Sequence, residues 1–148
     1  HNSGRRQRQM CIRDSPRRVT VGLDHNRLSM LVAVLHRHGN ILVGDQDIFV
    51  NVVGGVKIMD TSADMALILS IISSFRDKPM PRNLVVFGEV GLSGEIRPVS
   101  NGQERLREAV KHGFTQAIIP SANIPKKPIQ GLQVIGVKKI SEALQALF

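Results

Sequence analysis

The alternation of apolar and polar positions becomes regular at Pro16. Arg17–Leu23 carries β-branched residues and predicts a short strand. Leu28, Leu31, Val32 and Leu35 then recur at i, i+3, i+4 and i+7, which predicts a helix capped by Asp24 or Asn26 and ended by Gly39-Asn40. Asp47–Val53 is apolar on both alternating faces and predicts a central strand. Gly54-Gly55 turns the chain and Val56–Ile58 continues it extended. Thr61–Ser74 predicts a helix apolar nearly all round, hence buried nearly all round, opened by the capping-box form Thr61-Ser62-Ala63-Asp64. After a turn at Lys78–Pro81, Leu84–Phe87 predicts a buried strand and the glycine-rich Glu89–Ile96 a tight hairpin. Gly102–His112 is an amphipathic helix stopped by Gly113. Strands Gln116–Ile119 and Leu132–Val137 flank the proline-rich loop Pro120–Pro128, and Ser141 caps a last helix to Phe148. Helices and strands interleave, so the expected class is α/β (α+β), with helices packed on a mixed sheet.

Composition narrows the function more than the fold. A chain of 148 residues, 42% hydrophobic and 22% charged, is one globular domain rather than a disordered tract. No apolar run approaches the ~18–20 residues of a membrane span. The lone Cys11 excludes a disulfide framework and a cysteine zinc site, and the absence of Trp and Tyr argues against an aromatic stacking platform. The net charge of +8 suggests a nucleic-acid partner, but residues 1–15 hold four arginines against one aspartate and lack periodicity. They resemble sequencing-adapter read-through or a fusion scar and are set aside as a non-native leader, leaving a domain at 16–148. Removing their net +3 leaves +5, a moderately basic domain.

Several catalytic signatures are missing. There is no Walker-type phosphate loop, dinucleotide fingerprint, zinc-protease helix motif or nucleophile elbow. His36 and His38 are two apart on a helix and cannot share a metal. Ser62 is the one candidate nucleophile, in the first turn of an apolar helix whose N–H groups could stabilise an oxyanion. The plainer reading is that Thr61 and Ser62 cap the helix, and no histidine base is evident.

Asp60-Thr61-Ser62-Ala63-Asp64, followed by the apolar helix and then Gly88-Glu89-Val90-Gly91-Leu92-Ser93-Gly94, resembles the proteolytic domain of Lon proteases. In that family a Gly-Pro-Ser-Ala-Gly segment carries the serine, a Gly-Glu-x-x-Leu-x-Gly hairpin follows, and a later helix supplies a lysine base. Ser62 falls on the serine, and Gly88, Glu89, Leu92 and Gly94 fall on the hairpin. Arg105 falls on the lysine. A serine–lysine dyad needs a neutral amine, whereas arginine stays protonated and cannot take the serine proton. Asp64 would sit beside this site and pair with Arg105. The resemblance thus implies a relic peptidase position with no catalytic residue. An ATP-dependent serine peptidase with Ser62 as nucleophile is the alternative.

Pro16-Arg17-Arg18-Val19-Thr20-Val21-Gly22-Leu23-Asp24-His25-Asn26-Arg27-Leu28, Phe49–Val56, Ser73–Pro79 and Val85–Val99 are similar, more specifically, to the Lon-like C-terminal domain of the bacterial RadA (Sms) DNA repair family, over residues 16–148. That resemblance implies a Lon proteolytic-domain fold (ribosomal protein S5 domain 2-like) at the C-terminus of a longer protein. The family's four-cysteine zinc finger and RecA-like ATPase core lie outside this chain, so zinc, ATP and magnesium belong to those domains and no cofactor is expected here. It also implies a homohexameric ring, branch migration of DNA intermediates, a RecA-type recombinase as possible partner and a cytoplasmic, nucleoid-associated location. Sequence-independent contact with single-stranded or branched DNA is expected through Arg17, Arg18, Arg27, Arg76 and Lys78. Lys126-Lys127 and Lys138-Lys139 are weaker candidates, and Arg107 and Lys111 read as the outer face of their helix. A free-standing DNA-binding protein is a third reading, disfavoured by the missing start methionine.

Overall fold

The computed structural model describes residues 16–51 and 60–148. Strand β1 (Arg18–Val21) leads through helix α1 (His25–His38) to β2 (Ile48–Asn51), which runs parallel to β1 with Arg18 opposite Ile48 and Val21 opposite Asn51. A helical crossover of this kind is what parallel pairing requires. A 3₁₀ turn, Thr61–Ala63, opens α2 (Asp64–Arg76). Next come β3 (Leu84–Val86), a hairpin of β4 (Glu89–Val90) and β5 (Ile96–Arg97), and α3 (Gly102–Lys111). Then β6 (Gln116–Pro120), a second 3₁₀ turn (Ser121–Asn123), β7 (Gln133–Val137) and α4 (Ile140–Leu147) complete the chain. β6 lies between β3 and β7, parallel to both. The α/β class holds, with pairing among the described residues divided over three small sheets instead of one continuous mixed sheet.

The three-stranded sheet separates two apolar clusters. Ile118 of β6 points to the larger one, built from α1, α2, α4 and the hairpin residues Val90 and Ile96. Ala117 and Ile119 point the other way, to Phe87 and to Leu106 of α3. A central strand buried on both faces reads as a continuous apolar run, as Ala-Ile-Ile does here. The hairpin is held to the end of β7: Ile96 N donates to Lys138 O at 2.8 Å and Ile140 N to Gly94 O at 2.9 Å.

Four expectations change. The segment at Asp47–Val53 is not central among the described residues: β2 pairs only with β1, and Phe49 is exposed beside Val19 and Val21 on the outer face of that pair. Its continuation through Val53, the Gly54-Gly55 turn and Val56–Ile58 lies outside the described residues. Helix α2 buries Met65, Ile68, Leu69 and Ile72, but Leu67 and Ile71 are half-buried and line, with Phe49 and Phe75, a groove of about 610 Å³ against β2. β3 is half-buried along its length because, among the described residues, it forms an edge of its sheet. The last helix is entered through Lys139, with Glu142 Oε2 accepting from Lys138 N at 2.7 Å, so Ser141 is not its cap.

Helix α2 ends in a left-handed residue that is not glycine. Asp77 adopts φ 52°, ψ 43°, and Lys78 N closes back on Ser73 O at 3.0 Å, a Schellman arrangement. An aspartate there carries both the left-handed penalty and a negative charge at the helix C-terminus. Asp77→Gly should therefore raise stability by about 0.5–1 kcal/mol, read as a melting-point gain of roughly 2–3 °C.

Candidate functional site

Where β3 ends, the chain passes directly beneath the start of α2. Gly88 N donates to Ser62 O at 2.8 Å, and Met65 N donates to Gly88 O at 3.0 Å. A Cβ at Gly88 would lie 3.1 Å from both Ile96 Cγ2 and Met65 Cε and 3.3 Å from Pro120 Cγ, so the close approach calls for glycine. Asp60 sits just before the 3₁₀ turn, and its Oδ1 accepts from Ser62 N at 3.1 Å. The cap is therefore the Asp60 carboxylate, two residues ahead of the amide it satisfies, and not the hydroxyls of Thr61 and Ser62.

Arg105 reaches this point from the first turns of α3, across the end of the sheet. Its Nε donates to Ser100 O at 3.0 Å, Nη1 to Ser62 Oγ at 3.4 Å and Nη2 to Asp60 Oδ2 at 3.4 Å. The guanidinium lies 5.8 Å from the centroid of the Phe87 ring, within cation–π range. Ser62 is buried under it, 8% exposed. The Ser62 oxygen thus faces a permanent cationic donor where a serine–lysine dyad would need a neutral amine. The N–H of Ser62 is already bonded to Asp60, so it is not free to stabilise an oxyanion.

The expected Asp64–Arg105 pair does not form. Asp64 points inward, fully buried, and takes Arg27 of α1 as a two-pronged partner: Nε to Oδ1 at 2.6 Å, and Nη2 to Oδ2. Asp64 Oδ2 also accepts from Val90 N of β4 at 3.2 Å. Arg105 approaches from the opposite side of the helix start and meets Asp60 instead. The sequence reading missed Asp60, although an aspartate two residues before a buried serine amide is a legible capping signal.

The five cations expected to meet DNA are placed very differently. Arg27 is held in an internal ion pair by Asp64, with 23% of its side chain exposed. Arg18 turns its guanidinium onto the carbonyls of Gly44, Gln46 and Arg17, closing the loop before β2. Arg17, Arg76 and Lys78 are exposed, Arg76 with its guanidinium 5.9 Å from the Phe148 ring centroid. Among the described residues no three His, Cys, Asp or Glu side chains gather as a metal site.

The pattern of a serine before a buried helix, a glycine-rich hairpin and a cation arriving from the next helix has a counterpart among known domains. The model of the Lon protease (S16) C-terminal proteolytic domain matches residues 31–148. The chain belongs to the Lon proteolytic-domain family. This Lon-like chain is also 65% identical over 130 residues to the DNA repair protein RadA of Escherichia coli, covering 88% of the chain and 28% of that protein. With the DNA repair protein RadA of Pseudomonas aeruginosa the identity is 62% over 134 residues, 90% of the chain and 30% of the relative. With that of Bacillus subtilis it is 47% over 133 residues, 88% and 29%. The Lon-like chain thus spans under a third of the length of these relatives. No helix among its described residues is long and apolar enough to cross a membrane.

The two aspartates of this region are driven in opposite directions. The Ser62 N–H, then the Ser62 hydroxyl and lastly Arg105 hold the Asp60 carboxyl below its ordinary 3.8, outweighing burial. Burial pushes Asp64 above 3.8, with Arg27 and the Val90 N–H pulling it only part of the way back. By linkage, the Asp60 contribution to stability is present above 3.8 and lost as pH falls through its lower folded value. The Asp64 contribution has the reverse sign: it is full below 3.8 and lost as pH rises through the raised folded value. Carboxyl ¹³C titration should place Asp60 below 3.8 and Asp64 above it, with Asp64 moving further up in Arg27→Ala. In urea melts Arg27→Ala should cost about 3–5 kcal/mol, since it strands a buried carboxylate. The double alanine variant should cost less than the two single losses together, by about 1 kcal/mol or more; strict additivity would mean the pair is not coupled.

Proposed function

We propose that this chain is a peptidase-inactive Lon-like domain that serves a RadA-type DNA repair and recombination protein as a DNA-binding and ring-forming scaffold. The observation that carries the first half is Arg105, which stands at the family's base position with Nη1 3.4 Å from Ser62 Oγ. A guanidinium there stabilises Ser62 as a hydrogen-bond acceptor, the opposite of what a nucleophile needs. What remains is structure: Ser62, Asp60 and Arg105 join the start of α2 to the start of α3 across the sheet end.

The second half rests on charge and on the relatives. A net +5 domain repeated six times would carry roughly +30 on one ring, enough for strong, salt-dependent and sequence-independent attraction to phosphates. Exposed Val19, Val21 and Phe49 give β1 and β2 an apolar outer face of the kind another copy covers in a homohexamer. ATP, magnesium and zinc would be held by the other domains of the full-length protein, which would be the DNA-dependent ATPase driving branch migration. A RecA-type recombinase and a cytoplasmic, nucleoid-associated setting complete this reading.

A fluorophosphonate probe tests it. Neither the wild-type chain nor Arg105→Lys should label at Ser62 or cleave an unfolded casein substrate, because the capped Ser62 amide and Asp60 remain in place. Labelling of wild-type Ser62 would establish the serine-peptidase alternative in its stead.

A further inference from the structure

Three cations that the sequence scatters come together in one pocket. Arg107 on α3 and Lys126-Lys127 in the loop after β6 line a concavity of about 370 Å³, with Gln103 beside them and three apolar walls, Pro125, Pro128 and Ile129. All three cations are exposed, and none makes an ion pair or side-chain hydrogen bond among the described residues. No carboxylate lines the pocket. Glu108, on the same helix, is turned to His112 and Lys111, at 3.2 and 3.9 Å, and Glu104 is exposed outside the lining.

The pocket is held in shape from below. Asn123 clamps the loop to the chain before α3, its Oδ1 accepting from Val99 N at 2.9 Å and its Nδ2 donating to Val99 O at 3.0 Å. A Cβ on Gly102 would stand 2.6 Å from Asn123 Nδ2, so loop and helix start are in direct contact. At the other end Ile129 and Leu132 pack on the Phe87–Leu106 cluster. Repelling cations fixed in this way want an anion. The location fits too, since the loop leaves the carboxyl end of a parallel strand, the edge where α/β sheets bind ligands.

We infer that the pocket of Gln103, Arg107, Lys126 and Lys127 is the principal contact of this domain with the phosphate backbone of DNA. This rests on the DNA-binding reading above and assigns it a place. The lining holds no aromatic ring to stack a base, so the recognised group is the sugar-phosphate chain, with the prolines and Ile129 against the sugars. Arg17, Arg37 and Lys78, equally exposed but outside this pocket, are peripheral.

The test is fluorescence anisotropy of a labelled mixed-sequence duplex with the whole 148-residue chain, between about 50 and 200 mM salt. The triple variant Arg107→Glu/Lys126→Glu/Lys127→Glu should bind roughly tenfold or more weakly and lower the log–log salt slope by about 2–3, near 0.9 per lost phosphate contact. The charge-matched triple Arg17→Glu/Arg37→Glu/Lys78→Glu should lose no more than about threefold, and both should keep the wild-type far-UV circular dichroism. Equal losses from the two triples would overturn the pocket while leaving a diffuse DNA-binding surface. No binding by the wild-type chain at low salt would overturn the DNA reading itself, and this inference with it.

Discussion

One buried carboxylate joins three elements that would otherwise have no polar reason to stay in register. Asp64, in the first turn of α2, takes the Arg27 guanidinium from α1 and the Val90 N–H from β4. Hydrophobic burial alone would let helices slide, because apolar contact has no direction. A two-pronged pair with an amide on the third side permits only one arrangement. The net stabilisation from such a pair is small or negative after desolvation, and the upward push on Asp64 is that cost made visible. Its value lies in specificity: it fixes where α1 and the hairpin meet the start of α2, and that fixes where Ser62 and Gly88 lie.

From that fixed point the arrangement around Ser62 follows. Asp60 and Asp64 flank the same turn, yet one faces outward to Arg105 and the other inward to Arg27. Each acid therefore has its own arginine. A lysine at 105 would be a single point donor, whereas the planar guanidinium reaches Ser62, Asp60 and the Ser100 carbonyl together and lies against Phe87. At this position a guanidinium thus makes connections across the sheet end that a single ammonium would not.

Periodicity made α1 and α3 readable, since Leu28–Leu31–Leu35 and Leu106–Ala109 each bury one consistent face. β6 was readable from its unbroken apolar run, buried on both faces. Motif spacing made the meeting of Ser62, the hairpin and Arg105 readable as well. Partner choice was not. Arg27 and Arg105 are both arginines about forty residues from Asp64, and only the packing of α1 against α2 decides between them. The β1–β2 pair misled for a related reason: alternation reports that both faces are apolar, not that both are covered.

The same distinction governs the charge. Arg18 and Arg27 look like ligand contacts because they flank a strand and open a helix, but backbone carbonyls and Asp64 already hold them. Lys126 and Lys127 look like an ordinary solvated loop because they lie between prolines, yet those prolines stiffen a turn that Asn123 clamps beside Arg107. Net charge counts all of these equally. All of them add to the field around the domain, but only donors not already turned to an internal acceptor are free to bond a partner's oxygens. Charge density in the sequence and free donors in the folded domain therefore need not coincide.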